Sequence, residues 1–238
     1  MTDKVNQKIL TSKEDNHMAT EKFRFRIKNE WFSWLTIVVA AVVGWWAYPN
    51  LPAQVPSHWG ITGQVDGWTT PIGHALGVPA MMLGMYLLFL LIPVFEPRRE
   101  HFHQSMGFYQ MIRNAMMAFL LFMFLITTWV AVTGQPLKID VIVPMAVGVL
   151  FILIGNYLHQ VKSNFFMGIR TPWTLSSETN WKNTHHLGGY MFVIGGLLFF
   201  TTPLWPTPLN FYIPIIGISL AGLVPVVYSY FLFRQDQR

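Results

Sequence analysis

Residues 187–233 read LGGYMFVIGGLLFFTTPLWPTPLNFYIPIIGISLAGLVPVVYSYFLF and contain no Asp, Glu, Lys or Arg. A helix at a water boundary keeps a polar face, so a charge-free run of this length points to lipid rather than solvent. At 1.5 Å per residue, a hydrocarbon core of roughly 30 Å takes about 20 residues, and this run holds two such spans. They part at TTPLWPTPLN, where Pro203, Pro206 and Pro208 cannot continue a helix. Four more charge-free runs lie upstream, at 31–65, 67–95, 114–137 and 141–161. The predicted fold is therefore an all-α integral membrane protein of six transmembrane helices, at about 31–48, 72–95, 114–133, 141–158, 189–204 and 209–233.

The composition agrees. Of 238 residues, 53% are hydrophobic and 11% charged, with a mean hydropathy of +0.39, which excludes an ordinary soluble domain. The absence of cysteine removes disulfides, thiolate metal sites and thiol nucleophiles. Fifteen of the 16 Lys and Arg residues fall in the tail to residue 30, in 96–113, in 159–188 or beyond Phe233, and Lys138 alone falls elsewhere. Basic residues are retained on the cytoplasmic side during insertion, so both termini are predicted to be cytoplasmic. The net charge of +5 follows from this distribution, and direct nucleic-acid binding is not expected. Residues 1–30 have no apolar stretch of their own and are read as a basic cytoplasmic tail, partly disordered, without a signal peptide. Residues 31–238 are the transmembrane domain. No predicted span carries an ionisable group near its middle, which disfavours an ion-coupled carrier.

Two loops stand out. The outer-loop module, 49–71, contains PNLPAQVPSHWGITGQVDGWTTP, where four prolines and the turn formers Gly60, Gly63 and Asp66-Gly67 predict a compact structure. It carries His58 and Asp66, which could bind a metal, form a pH-sensitive pair or lock the loop by hydrogen bonding. Two ligands are too few to argue for zinc, and no metal or cofactor is expected. The inner loop, 159–188, contains NFFMGIRTPWTLSSETNWKNTHHLGG. Thr179 or Ser177 is a candidate cap for a short helix carrying Trp181, and Arg170 with Glu178 is the natural ion pair. The alternative is that Arg170 fixes topology and the tryptophans anchor at the interface.

At these residues the sequence resembles the SdpI family, membrane immunity proteins that protect cells producing the sporulation-delaying toxin of bacterial cannibalism systems. The outer motif is matched by Pro56, His58, Gly63, Asp66 and Trp68. The inner signature is matched by Asn164, Gly168, Arg170, Thr171, Pro172, Trp173, Thr174, Leu175, Glu178, Trp181 and His185. The resemblance implies a non-enzymatic protein of the bacterial cell membrane that confers resistance to a secreted, membrane-active peptide. It implies that peptide as a partner, membrane lipid as surroundings, and a cytoplasmic transcriptional repressor as a signalling partner. Two other readings stay open: a transporter using Asn156, Tyr157 and His159, and a membrane enzyme using Glu178 with His185 or His186 as acid and base.

Overall fold

The computed structural model describes residues 30–237. The tail expected over residues 1–30 lies almost wholly outside the described residues. Helix α1, Trp31–Ala47, passes through a 3-10 turn, Tyr48–Asn50, into a hairpin of β1, Val55–Trp59, and β2, Val65–Thr69. Helix α2, Pro71–Phe95, the short α3, Arg99–Gln104, and α4, Met106–Thr133, follow. Helix α5, Ile139–Leu158, leads into an irregular loop, then α6, Pro172–Ser176, α7, Glu178–Phe199, a 3-10 turn at Thr202–Leu204, and α8, Leu209–Asp236.

Among the described residues five helices, α1, α2, α4, α5 and α8, are long and apolar enough to cross a membrane. The ends of these helices follow local chemistry. Pro71 occupies the first turn of α2, and the Thr70 hydroxyl accepts the Gly73 N–H at 3.1 Å. Helix α4 stops at Gly134, whose φ of 65° ends it in the left-handed conformation.

The all-α expectation needs one correction, because the outer-loop module contains an antiparallel hairpin pairing Val55 with Thr69, Pro56 with Trp68 and His58 with Gly67. Two boundaries also move. Helix α4 starts at Met106 rather than near 114, and α7 starts at Glu178 rather than near 189, so the inner loop is shorter than 159–188. In both cases charged and polar residues were read as loop, whereas a helix keeps its hydrogen-bond ladder beyond the apolar layer. The segment expected as the fifth span falls in the latter part of α7, which is not among these five, its polar first turns keeping its hydropathy below theirs.

Helix α7 lies between α5 and α8. The approach to α5 is set by two glycine pairs, each seven residues apart. A Cβ on Gly189 would lie 2.8 Å from the Gly155 carbonyl oxygen, and one on Gly196 would lie 2.8 Å from that of Gly148. Small residues at this spacing let antiparallel backbones touch, the usual source of cohesion where lipid removes the hydrophobic drive between helices. Two apolar clusters complete the interior. Ile37, Ala40, Met82, Tyr86, Met117 and Phe124 join α1, α2 and α4, while Phe102, Tyr109, Leu158, Val161, Met167 and Trp181 gather beneath the 159–177 loop.

Candidate functional site

The chain holds two structured polar modules at opposite ends of α2. At its start, the hairpin turn closes with Gly60 N–H on the Gln64 carbonyl at 2.9 Å and Gly63 N–H on the Gly60 carbonyl at 2.9 Å, Gly63 taking φ 77°. Across the strands His58 Nδ1 and Asp66 Oδ1 stand 2.5 Å apart, with side chains 73% and 53% exposed. Gly67 faces His58 so closely that a Cβ would sit 2.8 Å from the histidine Cβ, which leaves room for the pairing. The contact joins the two strands of the hairpin, side chain to side chain. Among the described residues no three His, Cys, Asp or Glu side chains converge on one point. Pro56 is buried beneath the hairpin and Trp68 is exposed on it.

Under the hairpin lies a cavity of about 650 Å³, walled by α2, α4 and the start of α5. His74, 3% exposed, lines it. The Thr128 hydroxyl donates to the Phe124 carbonyl at 2.7 Å, so it accepts from His74 Nε2–H at 2.9 Å.

The second module surrounds the 159–177 loop. Asn164 folds its start: Oδ1 accepts from Phe166 and Met167 N–H at 2.8 and 2.6 Å, and Nδ2 donates to the Lys162 carbonyl at 2.8 Å. Gly168, with φ 93°, then turns the chain against the face of α7. There His185 is held on both sides. Its Nδ1–H donates to the Trp181 carbonyl at 2.8 Å, and its Nε2 accepts the Ile169 N–H at 2.9 Å. That pattern requires the neutral imidazole. Burial of this ring, in the polar turns of α7 ahead of its apolar stretch, lowers the pKa to about 4, partly opposed by the bond to Trp181. Trp181 stacks on the ring with centroids 4.0 Å apart and donates Nε1–H to the Val161 carbonyl at 2.7 Å.

Helix α6 is started by a reciprocal capping box: Thr171 N–H to Thr174 Oγ1 at 2.9 Å and Thr174 N–H to Thr171 Oγ1 at 3.1 Å, with Pro172 in the first turn. Leu175 closes the same helix by donating N–H to the Thr171 carbonyl at 3.1 Å. Trp173 packs against Tyr230 and Phe233 of α8, and Thr171 Oγ1 lies 3.1 Å from Ser229 Oγ. Ser177 caps α7 by accepting the Asn180 N–H at 3.2 Å, but the helix carrying Trp181 is long rather than short.

Two expectations fail here. Arg170 and Glu178 do not form the expected ion pair; Arg170 Nη1 donates to the Phe165 carbonyl, and Glu178 Oε1 lies 3.9 Å from His101 Nδ1. The acid–base arrangement of Glu178 with His185 is likewise not assembled, because both His185 nitrogens are engaged and Glu178 is directed to α3. His186 meets the rings of Tyr190 and His159 instead. Asn156, Tyr157 and His159 are exposed on α5 and just beyond it, and none of the three lines the cavity beneath the hairpin.

Residues 160–229 match the SdpI/YfhL protein family, and residues 35–83 match a domain of unknown function, DUF1648. The chain is 24% identical over 188 residues to the "Immunity protein SdpI" of Bacillus subtilis (strain 168), covering 79% of this chain and 87% of that protein. No solved structure matches. With five helices among the described residues long and apolar enough to cross a membrane, this SdpI relative is a multi-pass bacterial membrane protein.

The SdpI/YfhL segment takes in the signature loop, α6, α7 and most of α8, while the DUF1648 segment takes in most of α1, the hairpin and the first half of α2. The inner module is tied to the end of α2, to α3 and to α8 by residues that the sequence motifs leave out. Glu96, 1% exposed at the end of α2, accepts the Arg98 N–H at 2.8 Å and the Phe165 N–H at 3.0 Å. Arg98 donates to Ser163 Oγ and to the Leu175 carbonyl, and lies 4.9 Å over the Phe165 ring. Ser105 Oγ accepts the Lys162 N–H at 2.8 Å, and Asn180 Nδ2 donates to the Ser229 carbonyl at 2.8 Å. In sequence, Glu96 and Arg98 look like ordinary charges flanking a span. The available signal is the pair of prolines around Glu96, Pro93 and Pro97, marking a shaped corner.

Proposed function

We propose that this protein is a membrane immunity protein that confers resistance to a secreted, membrane-active peptide. The observation that carries the reading is the kinship to a protein named for immunity, extending over 79% of the chain and over both polar modules. The positive-inside count puts the hairpin outside the cell and the 159–177 loop in the cytoplasm, with both termini cytoplasmic. The hairpin, with Pro56, His58, Gly63, Asp66 and Trp68, is then the receiving face.

The loop, with Asn164, Gly168, Arg170, Thr171, Pro172, Trp173, Glu178, Trp181 and His185, is the responding face. Helix α2 supplies the physical connection, since it begins under the hairpin and ends at Glu96, which holds the loop through Phe165. A peptide that favours one arrangement of the hairpin would bias the loop through differential affinity for two states. Recruitment of a cytoplasmic transcriptional repressor to the exposed Arg170 surface is the signalling half of the reading.

The test is survival of a toxin-sensitive bacterium expressing the chain, challenged with the sporulation-delaying peptide and, in parallel, with unrelated pore-forming peptides. Protection restricted to the first peptide is expected. Loss of protection in Asp66→Ala and Arg170→Ala variants present in the membrane assigns the two modules. Equal survival with and without the chain would reject immunity to this peptide.

A further inference from the structure

We propose that the cavity beneath the hairpin receives apolar side chains of the peptide, with His74 Nδ1 as the hydrogen-bond acceptor that orients them. The inference rests on the immunity reading and names its binding site. A volume of about 650 Å³ falls within the roughly 300–1,000 Å³ of ligand pockets, and the walls mix apolar groups with few polar ones. Leu120, Met123 and Phe124 of α4, Val78 of α2 and Val143 of α5 supply the apolar wall. Because His74 Nε2–H is spent on Thr128, Nδ1 is left with a lone pair and no protein partner among the described residues. A donor on the ligand, such as an indole or main-chain N–H, satisfies it.

The mouth selects a peptide over an anionic lipid. His58, Trp59 and Trp68 of the hairpin roof the cavity, and Asp66 pairs with His58 beside it. Asp140 stands against the hairpin turn, where a Cβ on Gly63 would lie 3.3 Å from its Oδ1. Residues 49–71 contain no Lys or Arg, and 134–140 contain only Lys138. The Asp66 carboxylate beside the cavity-lining His58, and Asp140 against the Gly63 turn, disfavour a phosphate headgroup at this end of the bundle and admit a peptide without net negative charge.

Gly77 gives a direct test. It lines the cavity, and a Cβ there meets nothing within 4 Å, so a larger side chain grows into the open volume without displacing a neighbour. Gly84, two turns further along α2, is equally unobstructed and does not line the cavity, which makes Gly84→Phe the matched control. Binding of fluorescently labelled sporulation-delaying peptide is measured in nanodiscs of phosphatidylethanolamine and phosphatidylglycerol, with co-purifying phospholipid counted. The expected result is saturable binding to wild type and Gly84→Phe, weakened at least tenfold in Gly77→Phe at unchanged thermal stability. Val143→Phe, filling the cavity from α5, is expected to do the same. If Gly77→Phe and Val143→Phe bind as wild type does, the cavity is not the site and the immunity reading stands. If they instead lose co-purified phospholipid while binding peptide normally, the cavity holds lipid and the proposal is overturned. Wild type that binds no peptide overturns the proposal and the reading on which it rests.

Discussion

His185 Nε2 accepts the Ile169 N–H at 2.9 Å, and Gly168 passes directly over the same ring nitrogen. One bond thereby ties the irregular 159–177 loop to α7, and it does so without charge. A protonated ring would turn Nε2 into a donor facing a donor. The adjacent Trp181 stacks on the imidazole and reaches back to Val161, so the start of the loop, its turn and the helix form a single unit.

Gly168→Ala is expected to lower stability by about 2–5 kcal/mol, combining the cost of a left-handed backbone for a residue with a Cβ and the overlap of that Cβ with the ring. The measurement is the thermal midpoint in detergent together with protease access at the 159–177 loop. A change within about 0.5 kcal/mol would mean that the loop relaxes away from α7 at no cost.

Stability should also depend on pH through His185. Its folded pKa, about 4, lies below the unfolded value of about 6.5, so the unfolded chain binds the proton more readily between them. The contribution is fully present above about pH 6.5, declines as pH falls, and is gone by about pH 4. The full effect is on the order of 3 kcal/mol. Comparing thermal midpoints at pH 7.5, 5.5 and 4.5 for wild type and His185→Gln isolates it: wild type should fall more steeply, and parallel slopes would show that His185 does not titrate in this window.

The spans were legible because charge is excluded from them: Lys138 and Asp140 bracket the start of α5, and Asp66 lies shortly before α2. The hairpin was legible only as a compact loop, since its prolines and two strand bulges hide the period-two pattern that would announce strands. The first turns of α7 were not legible as helix, because Asn180, Thr184 and His185 read as loop by polarity. Asn180 and Thr184, four residues apart, share one buried face and His185 is buried against the loop, where Ser229, Asn180 itself and the loop backbone satisfy them. Arg170 and Glu178 misled for a different reason. Opposite charges eight residues apart invite pairing on paper, yet each found a nearer partner once α3 and the Phe165 carbonyl were in place.

Glu96 is expected to be among the costliest positions to change. Glu96→Ala strips the acceptor from two N–H groups, those of Arg98 and Phe165, each worth about 1–3 kcal/mol when left unpartnered, so a loss of roughly 2–5 kcal/mol follows. Glu96→Gln keeps one acceptor and faces the second N–H with a donor, which places it between wild type and Glu96→Ala. Chemical denaturation in detergent orders the three proteins. If Glu96→Ala matches wild type, the corner between α2 and the loop is held by Arg98 alone.

The hairpin pair calls for the opposite expectation. His58 and Asp66 are close, but both side chains are more than half exposed, and exposed pairs contribute about 0–1 kcal/mol. Asp66→Asn should therefore leave the thermal midpoint within the range of an ordinary surface change while reducing protection in the survival assay at least tenfold, because the hairpin is the proposed receiving face. Gly67→Val separates shape from charge: its side chain would enter the space of His58 Cβ, disturbing the strand register with both ionisable groups retained. Loss of protection in Gly67→Val with full protection in Asp66→Asn would assign recognition to the shape of the hairpin. Full protection in both would remove the hairpin from the mechanism.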